Sequence, residues 1–386
     1  MRITLLILLS IFLFSCKNSK KELYKFDPRI LEEKEISLSE IADDILYVPL
    51  DDSILISSIN TVYPPKFTND RIYLFDSNLG ILVFSRSGQF LRKIGKMGRG
   101  PGEYAFVNTF TVDPESGTVY LVDLKSIKIY SKNGNYLRSF MINEYQGSVD
   151  EMEFFNKNLF VTFDLQYGDN FKYEWVFLDT FGNIINKKDR SIPIFKSNYL
   201  NGGGTFIQNS KLNFWHNFTD TIISISDDFT IEPNFLLAGG DFRLPKQYVD
   251  DPMKRLPEYM SMEQILETNQ FLILRYLFYK GENSLVLIDK EKRESFLSYW
   301  SYDDYRGLLN DLDGGLRFQP RGYLFENGRE YLIEFKDAIR FKTYVNSNDF
   351  ENARSVDPEK KKIFKEVSDR LKETDNPVLV LVRLKK

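Results

Sequence analysis

The chain is expected to fold as an all-β, six-bladed β-propeller, closed by its N- and C-terminal strands and carrying short helical insertions. Three observations predict this. Arg71-Ile72-Tyr73-Leu74-Phe75-Asp76 returns as Thr118-Val119-Tyr120-Leu121-Val122-Asp123, and the turn at Gly88 returns at Gly134, a period of roughly 40–50 residues that marks propeller blades. Aromatics reach 15% of the chain, with 33 Phe and 22 Tyr, a composition suited to strands packed face to face. The last segment, Val378 to Leu384, is too apolar to hang free, and a ring left open would present exposed sheet edges.

The chain begins with a segment that stands outside the fold. Arg2 is followed by the apolar run Ile3 to Phe14 and then Ser15-Cys16, a targeting signal too short for a typical membrane-spanning helix. Cys16 is the only cysteine of 386 residues. A disulfide framework needs an even set, whereas lipid attachment at a lipobox-like sequence needs one. Residues 1–16 are therefore expected to be a lipoprotein signal ending at the lipidated Cys16. Residues 17–35 are expected as a tether and residues 36–386 as the propeller.

Ile36–Ile41 and Ile45–Leu50 are expected to open the propeller as a strand pair, with Pro49 at a strand end. Blade-like units follow at about Ile59 to Ile94 and Phe106 to Phe140. A looser third unit contains Leu159–Asp164 and Trp175–Asp179, and a fourth contains Lys211–Trp215 and Thr221–Ile225. A fifth contains Gln270–Tyr276 and Ser284–Asp289, and the sixth Gly322–Glu326 and Glu330–Glu334. Val378–Leu384 would then pair beside the opening strand near Tyr47. Helical spacing is expected over Asp251 to Thr268 and a short helix over Tyr302 to Asp311. The clearest helix runs from Asp357-Pro358 to Glu373, with Asp as N-cap and Pro at the first position.

The segment Gly98-Arg99-Gly100-Pro101-Gly102-Glu103-Tyr104, with the strand Val119–Asp123 after it, resembles the NHL-type propeller repeat. More broadly, the cysteine signal, Glu40-Ile41-Ala42-Asp43-Asp44, Asp311-Leu312-Asp313-Gly314-Gly315 and Asp375-Asn376-Pro377 look like the six-bladed β-propeller lipoproteins of gut-dwelling Gram-negative bacteria. The resemblance implies a fold and an address: an outer-membrane or periplasm-facing lipoprotein, with the cell surface as a further destination. It implies little about activity.

Net charge is −4, with 51 basic and 55 acidic residues well mixed, so no nucleic-acid partner is expected. The Gly95–Gly102 glycines lack the Lys-Ser/Thr and following helix of a phosphate loop and read as a turn. Arg99, Glu103 and Tyr104 on that turn are candidate ligand contacts. Asp311 and Asp313 alternate as in a calcium loop, but position twelve from Asp311 is Gly322 rather than the Glu that such a loop requires. They are kept as ligand-binding candidates, with no metal or cofactor assigned. His216 is the only histidine and is expected to be structural. Asp76, Asp123, Asp164 and Asp179 are expected to cap turns through backbone amides. Tyr167 and Tyr173 are candidate stacking faces for a sugar. The expected function is that of a lipid-anchored binding or assembly module for a glycan, peptide or envelope protein, attached to a membrane through its lipid. The alternative is a carbohydrate-active hydrolase or lyase using Asp/Glu at the channel mouth.

Overall fold

The computed structural model describes residues 23–57, 64–142, 149–163, 172–190, 203–217, 219–237, 258–277, 279–301 and 305–386. These form six separate sheets of four or five strands. Within each blade, consecutive strands pair antiparallel as a meander, from an inner strand at the ring axis to an outer one. The inner strands are Lys66–Phe67, Thr109–Val112, Val149–Phe155, Gly203–Gln208, Ser261–Glu267 and Gly322–Glu326, in blades 1 to 6.

The second and third strands of a blade carry near-continuous apolar runs because both of their faces are covered. Ile72, Leu74, Leu82 and Phe84 of blade 1 pack with Ile333, Leu379 and Leu381 of blade 6. The alternate residues Tyr73, Phe75, Ile81 and Val83 pack with Phe110, Val119 and Leu121 of blade 2. Equivalent clusters fill the wedges between blades 2 and 3, 3 and 4, 4 and 5, and 5 and 6. Six wedges joining six blades make a closed ring.

Closure is achieved as the terminal apolar strand predicts. Blade 6 runs in the order Gly322–Glu326, Arg329–Lys336, Val378–Leu384, Ala42–Pro49. Val380 pairs with Tyr47, and Val382 with Ile45. Chain ends far apart in sequence thus share one sheet, and Pro49 stands at the strand end, where its missing N–H costs nothing.

The N-terminal region departs from expectation in two places. Leu38–Ile41 is a short helix, α1, rather than a strand. Ser37 and Glu40 are the ends of a capping box, and the Ser37 amide donates to Glu40 Oε1 at 3.0 Å. Upstream, within the stretch expected as a tether, Lys25–Phe26 adds a parallel edge to blade 4, and Glu32–Glu33 adds one to blade 5.

Two helix expectations fail and one holds. Residues 251–257 lie outside the described residues, but Ser261–Glu267 is the inner strand of blade 5. Its apolar spacing imitates a helix because the pairing Met262↔Tyr276, Gln264↔Arg275 inserts one extra residue, Glu263. That bulge converts the two-residue alternation of Met260, Met262 and Ile265 into a mixed spacing. Residues 302–304 are likewise outside the described residues. Beyond them, Leu308 bridges to Phe318 and Leu309 to Ser37, so the segment is extended rather than helical. The third expectation stands, with Pro358–Arg370 a helix capped by Asp357, which accepts from the Glu359 amide at 3.0 Å. With Ala338–Val345 (α2) and Asn348–Asn352 (α3), this helix (α4) sends Phe341, Phe350 and Phe364 into the wedge between blades 5 and 6.

Candidate functional site

Each inner strand turns one face toward the ring axis, and neighbouring inner strands pack side by side around it. In blades 1, 2, 4 and 6 the inner strand pairs with its neighbour in unbroken register. Blades 3 and 5 are different. Val149↔Phe163 is followed by Met152↔Val161, so the Asp150-Glu151 step carries one extra residue, as Glu263 does in blade 5. Such bulges re-aim side chains and are frequent beside functional sites. Here the extra residue lies beside Glu151, which reaches Thr205 of blade 4, and at Glu263, which faces Arg275 and Arg321.

On the blade 3 side, Glu153 Oε2 pairs with Lys66 Nζ of blade 1 at 2.5 Å, and its Oε1 accepts from Thr111 Oγ1 of blade 2 at 3.1 Å. Glu151 Oε2 accepts from Thr205 Oγ1 of blade 4 at 3.0 Å. Four blades are therefore linked by two carboxylates. Burial pushes the Glu151 carboxyl up to about 8, reinforced by the nearby negative charges of Asp150 and Glu153 and opposed by Lys66 and Thr205. Glu151 is thus held mostly protonated at neutral pH, while Glu153 is held beside an ammonium.

On blade 5, Glu263 Oε2 lies 3.3 Å from Arg275 Nη2, and its Oε1 lies 3.9 Å from Arg321 Nη1. Both guanidinium groups sit over the Trp300 ring, at 4.2 Å and 5.3 Å from its centroid. Gln264 Nε2 donates to the Arg321 carbonyl at 2.7 Å, and the Arg275 Nη1 donates to the Pro320 carbonyl at 3.3 Å, so blade 5 fixes the entry to blade 6. Arg275 is fully buried, whereas Arg321 and Glu263 keep 21% and 25% of their side-chain surface exposed.

The residues singled out from sequence lie elsewhere. Tyr104 is buried, donates to the Ile94 carbonyl at 3.1 Å and accepts from the Ile81 amide at 3.3 Å. Glu103 accepts from the Gly100 amide at 2.8 Å and pairs with Lys96 at 3.1 Å. These bonds fasten the glycine turn between blades 1 and 2, from which Arg99 projects into solvent. Asp311 accepts from the Ser39 amide and hydroxyl at 2.8 Å and 2.5 Å. Asp313 is buried and accepts from Tyr47 Oη at 2.6 Å and the Gly315 amide at 2.8 Å. The two pairs belong to different sectors of the ring and do not converge. Among the described residues, no three His, Cys, Asp or Glu side chains are grouped as a metal site. His216 is buried beside Trp215. Asp76 and Asp179 cap turns as expected, through the amides of Leu79 and Phe181, whereas Asp123 accepts from the amide of Phe106, 17 residues upstream, and so ties two distant segments together. Tyr173 lies under Lys187 at 4.6 Å. Cys16, Asp164 and Tyr167 lie outside the described residues.

Lys66, Glu151, Glu153, Glu263 and Arg321 were not signalled by any motif. What marks them in the sequence is weak: a charged run, Asp150-Glu151-Met152-Glu153, interrupting an apolar chain at the place where an inner strand is due.

A closed ring of six sheets, each built on a four-stranded antiparallel meander, defines the molecule as a six-bladed β-propeller. Residues 23–383 match the family model described as a domain of unknown function, DUF4934, and the chain belongs to that family. A search of curated proteins finds no match. Among solved structures, the chain is similar to a protein assigned as exported from Bacteroides fragilis, at 19% identity and a TM-score of 0.69, covering 94% of this chain and 99% of that one. It is also similar to a duf4221 family member from Bacteroides vulgatus, at 14% identity and a TM-score of 0.50, covering 92% and 99%. At such identities the likeness is one of fold. Among the described residues, no helix is long and apolar enough to cross a membrane.

Proposed function

We propose that the chain is a binding or assembly module, held outside the cytoplasm by lipid on Cys16 and taking its ligand at the axial ring of charged side chains. Its address is the outer membrane or another periplasm-facing surface. The leader ending at the single cysteine supports this, as does the exported assignment of the Bacteroides fragilis protein with the same fold. The observation that carries the binding reading is the pair of inner-strand bulges at Asp150-Glu151 and Glu263. Bulges interrupt ladder hydrogen bonds and re-aim side chains, and they are frequent beside functional sites. Glycan, peptide and envelope-protein partners are all compatible with a polar axial site on this fold.

The test is a binding screen of the soluble form beginning after Cys16 against glycans and peptides, with turnover followed in the same wells. Binding that is lost when Lys66 and Glu153 are both replaced by Ala, with the fold retained, is the expected result. Binding untouched by that change would place the ligand elsewhere. Turnover of a glycan would overturn the binding-module reading in favour of a hydrolase or lyase.

A further inference from the structure

Much of the stretch expected as a tether is a strap on the ring. Lys25–Phe26 pairs with the outer strand of blade 4, and Glu32–Glu33 with that of blade 5. Phe26 is buried with Trp215, Phe235 and Tyr276 in the wedge between those blades, and the Leu236 amide donates to the Tyr24 carbonyl at 3.0 Å. Seven residues, Lys17 to Leu23, separate Cys16 from Tyr24. Fully extended, that interval spans about 28 Å, against about 70 Å for a tether running from Cys16 to Ile36. A compact chain of this size has a radius of gyration of about 21 Å. A lipid on Cys16 therefore reaches a bilayer beside blade 4 but not one lying against blade 1, three blades away in either direction.

The rim next to blade 4 carries the groups that a lipid surface takes. Phe181, in the outer turn of blade 3, is 70% exposed, and Ile185 is 43% exposed. Arg138 of blade 2 lies over the Phe181 ring at 4.7 Å, and Lys187 over the Tyr173 ring at 4.6 Å. Lys172 and Lys187 are exposed, with Asp189 the acid of the outer strand. Apolar side chains projecting among cations suit the interface of a bilayer, the former entering the headgroup layer and the latter meeting lipid phosphates. Leu137 and Met141 of blade 2 are exposed as well, but the strap ends on the other side of blade 3 from them. We propose that the outer rim of blades 3 and 4 rests on the bilayer that takes the lipid of Cys16, with Phe181 and Ile185 among the headgroups and Arg138, Lys172 and Lys187 at lipid phosphates. The ring then stands edge-on, and both ends of its axis stay clear of the membrane. The inference rests on the lipid anchor proposed above and adds the surface that the anchor brings down.

The experiment couples the chain from Cys16 onward, through its single thiol, to a maleimide lipid in vesicles of phosphatidylethanolamine and phosphatidylglycerol with brominated acyl chains, which quench nearby tryptophan. Trp175, Trp215 and Trp300 are buried, so reporters are placed at exposed rim positions, Phe181→Trp on blade 3 and Leu91→Trp on blade 1. The emission added by Phe181→Trp is expected to fall at least threefold on these vesicles, and that added by Leu91→Trp to stay unchanged. Lys187→Glu in the Phe181→Trp protein is expected to restore most of the lost emission, with thermal melting confirming that each variant is folded. Unquenched Phe181→Trp, or equal quenching at the two positions, overturns the inference. Mass spectrometry of Cys16 in protein taken from cells separates this inference from the anchor itself. Acylated Cys16 with unquenched Phe181→Trp overturns the inference alone, and unmodified Cys16 overturns the anchor and the inference together.

Discussion

The hydroxyl of Tyr47 donates to Asp313 Oδ2 at 2.6 Å, and this bond joins the closing strand of blade 6 to the connector that leads into that blade. Both groups are buried. The Tyr47 ring also meets Phe341 and Phe364 edge-on, at 5.6 Å and 5.5 Å, so it links the closing strand to α2 and α4 as well. Its phenol is pushed well above the usual range, mainly by burial and then by the Asp313 charge.

Tyr47→Phe keeps the ring contacts and removes the donor, leaving the buried Asp313 with the Gly315 amide at 2.8 Å. The expected cost is about 1–3 kcal/mol, read from the urea midpoint at unchanged slope. A variant as stable as the parent would show that the bond contributes nothing to closure.

Closure itself is tested at Val382, which is fully buried and pairs with Leu332 on one side and Ile45 on the other. Val382→Asp puts a carboxylate into the sheet that holds both chain ends. The expected loss is about 4 kcal/mol or more, with early elution on size exclusion as the unpaired Ala42–Pro49 edge self-associates. A monomeric, cooperatively melting Val382→Asp protein would contradict the closed ring.

The turn glycines carry a more local demand. Gly88 has φ +87°, and a Cβ there would lie 2.1 Å from the Pro49 carbonyl oxygen. Gly281 has φ +80° with nothing within 4 Å of such a Cβ. Gly281→Ala is expected to cost about 1 kcal/mol from backbone strain alone. Gly88→Ala is expected to cost clearly more, because blade 6 must also move. Equal melting temperatures for the two variants would mean that the contact between the Gly88 turn and Pro49 is unimportant.

These contrasts show which parts of the fold were legible in the sequence. The second and third strands of each blade are covered on both faces, so Ile72–Phe75 and Val119–Val122 read as apolar runs that repeat. The closing strand Val378–Leu384 was visible for the same reason. Inner strands have one polar face on the axis, and two of them carry an extra residue. Met260, Ile265 and Leu266 consequently have helical spacing, and Ile36–Ile41 has the apolar alternation of a strand although Ser37 and Glu40 form a capping box. The axial site was less legible still. Lys66 and Glu153 are 87 residues apart, and only the ring brings blades 1 and 3 to one another. The glycine turn with Glu103 and Tyr104 stands out in sequence because its geometry is demanding, and that demand is met by bonds within the turn.

Glu151 and Asp313 make stability depend on pH in one direction. Both are acids raised by burial, Glu151 from 4.5 to about 8 and Asp313 from 3.8 to about 6. Between its unfolded and folded values, each group holds more proton in the native state than in the unfolded one. Stability from these groups is therefore complete below the unfolded values and is lost as pH rises through the folded ones. The slope is about −1.4 kcal/mol per pH unit wherever one such group alone differs in protonation. From pH 6 to 8, Glu151 supplies this term, and Lys66, Asp150 and Glu153 are the charged neighbours that set it. Glu151→Gln is expected to flatten the decline of urea stability over that interval while leaving the Asp313 contribution between pH 4 and 6 in place. An unchanged slope from pH 6 to 8 in Glu151→Gln would show that Glu151 is already ionised in the folded protein.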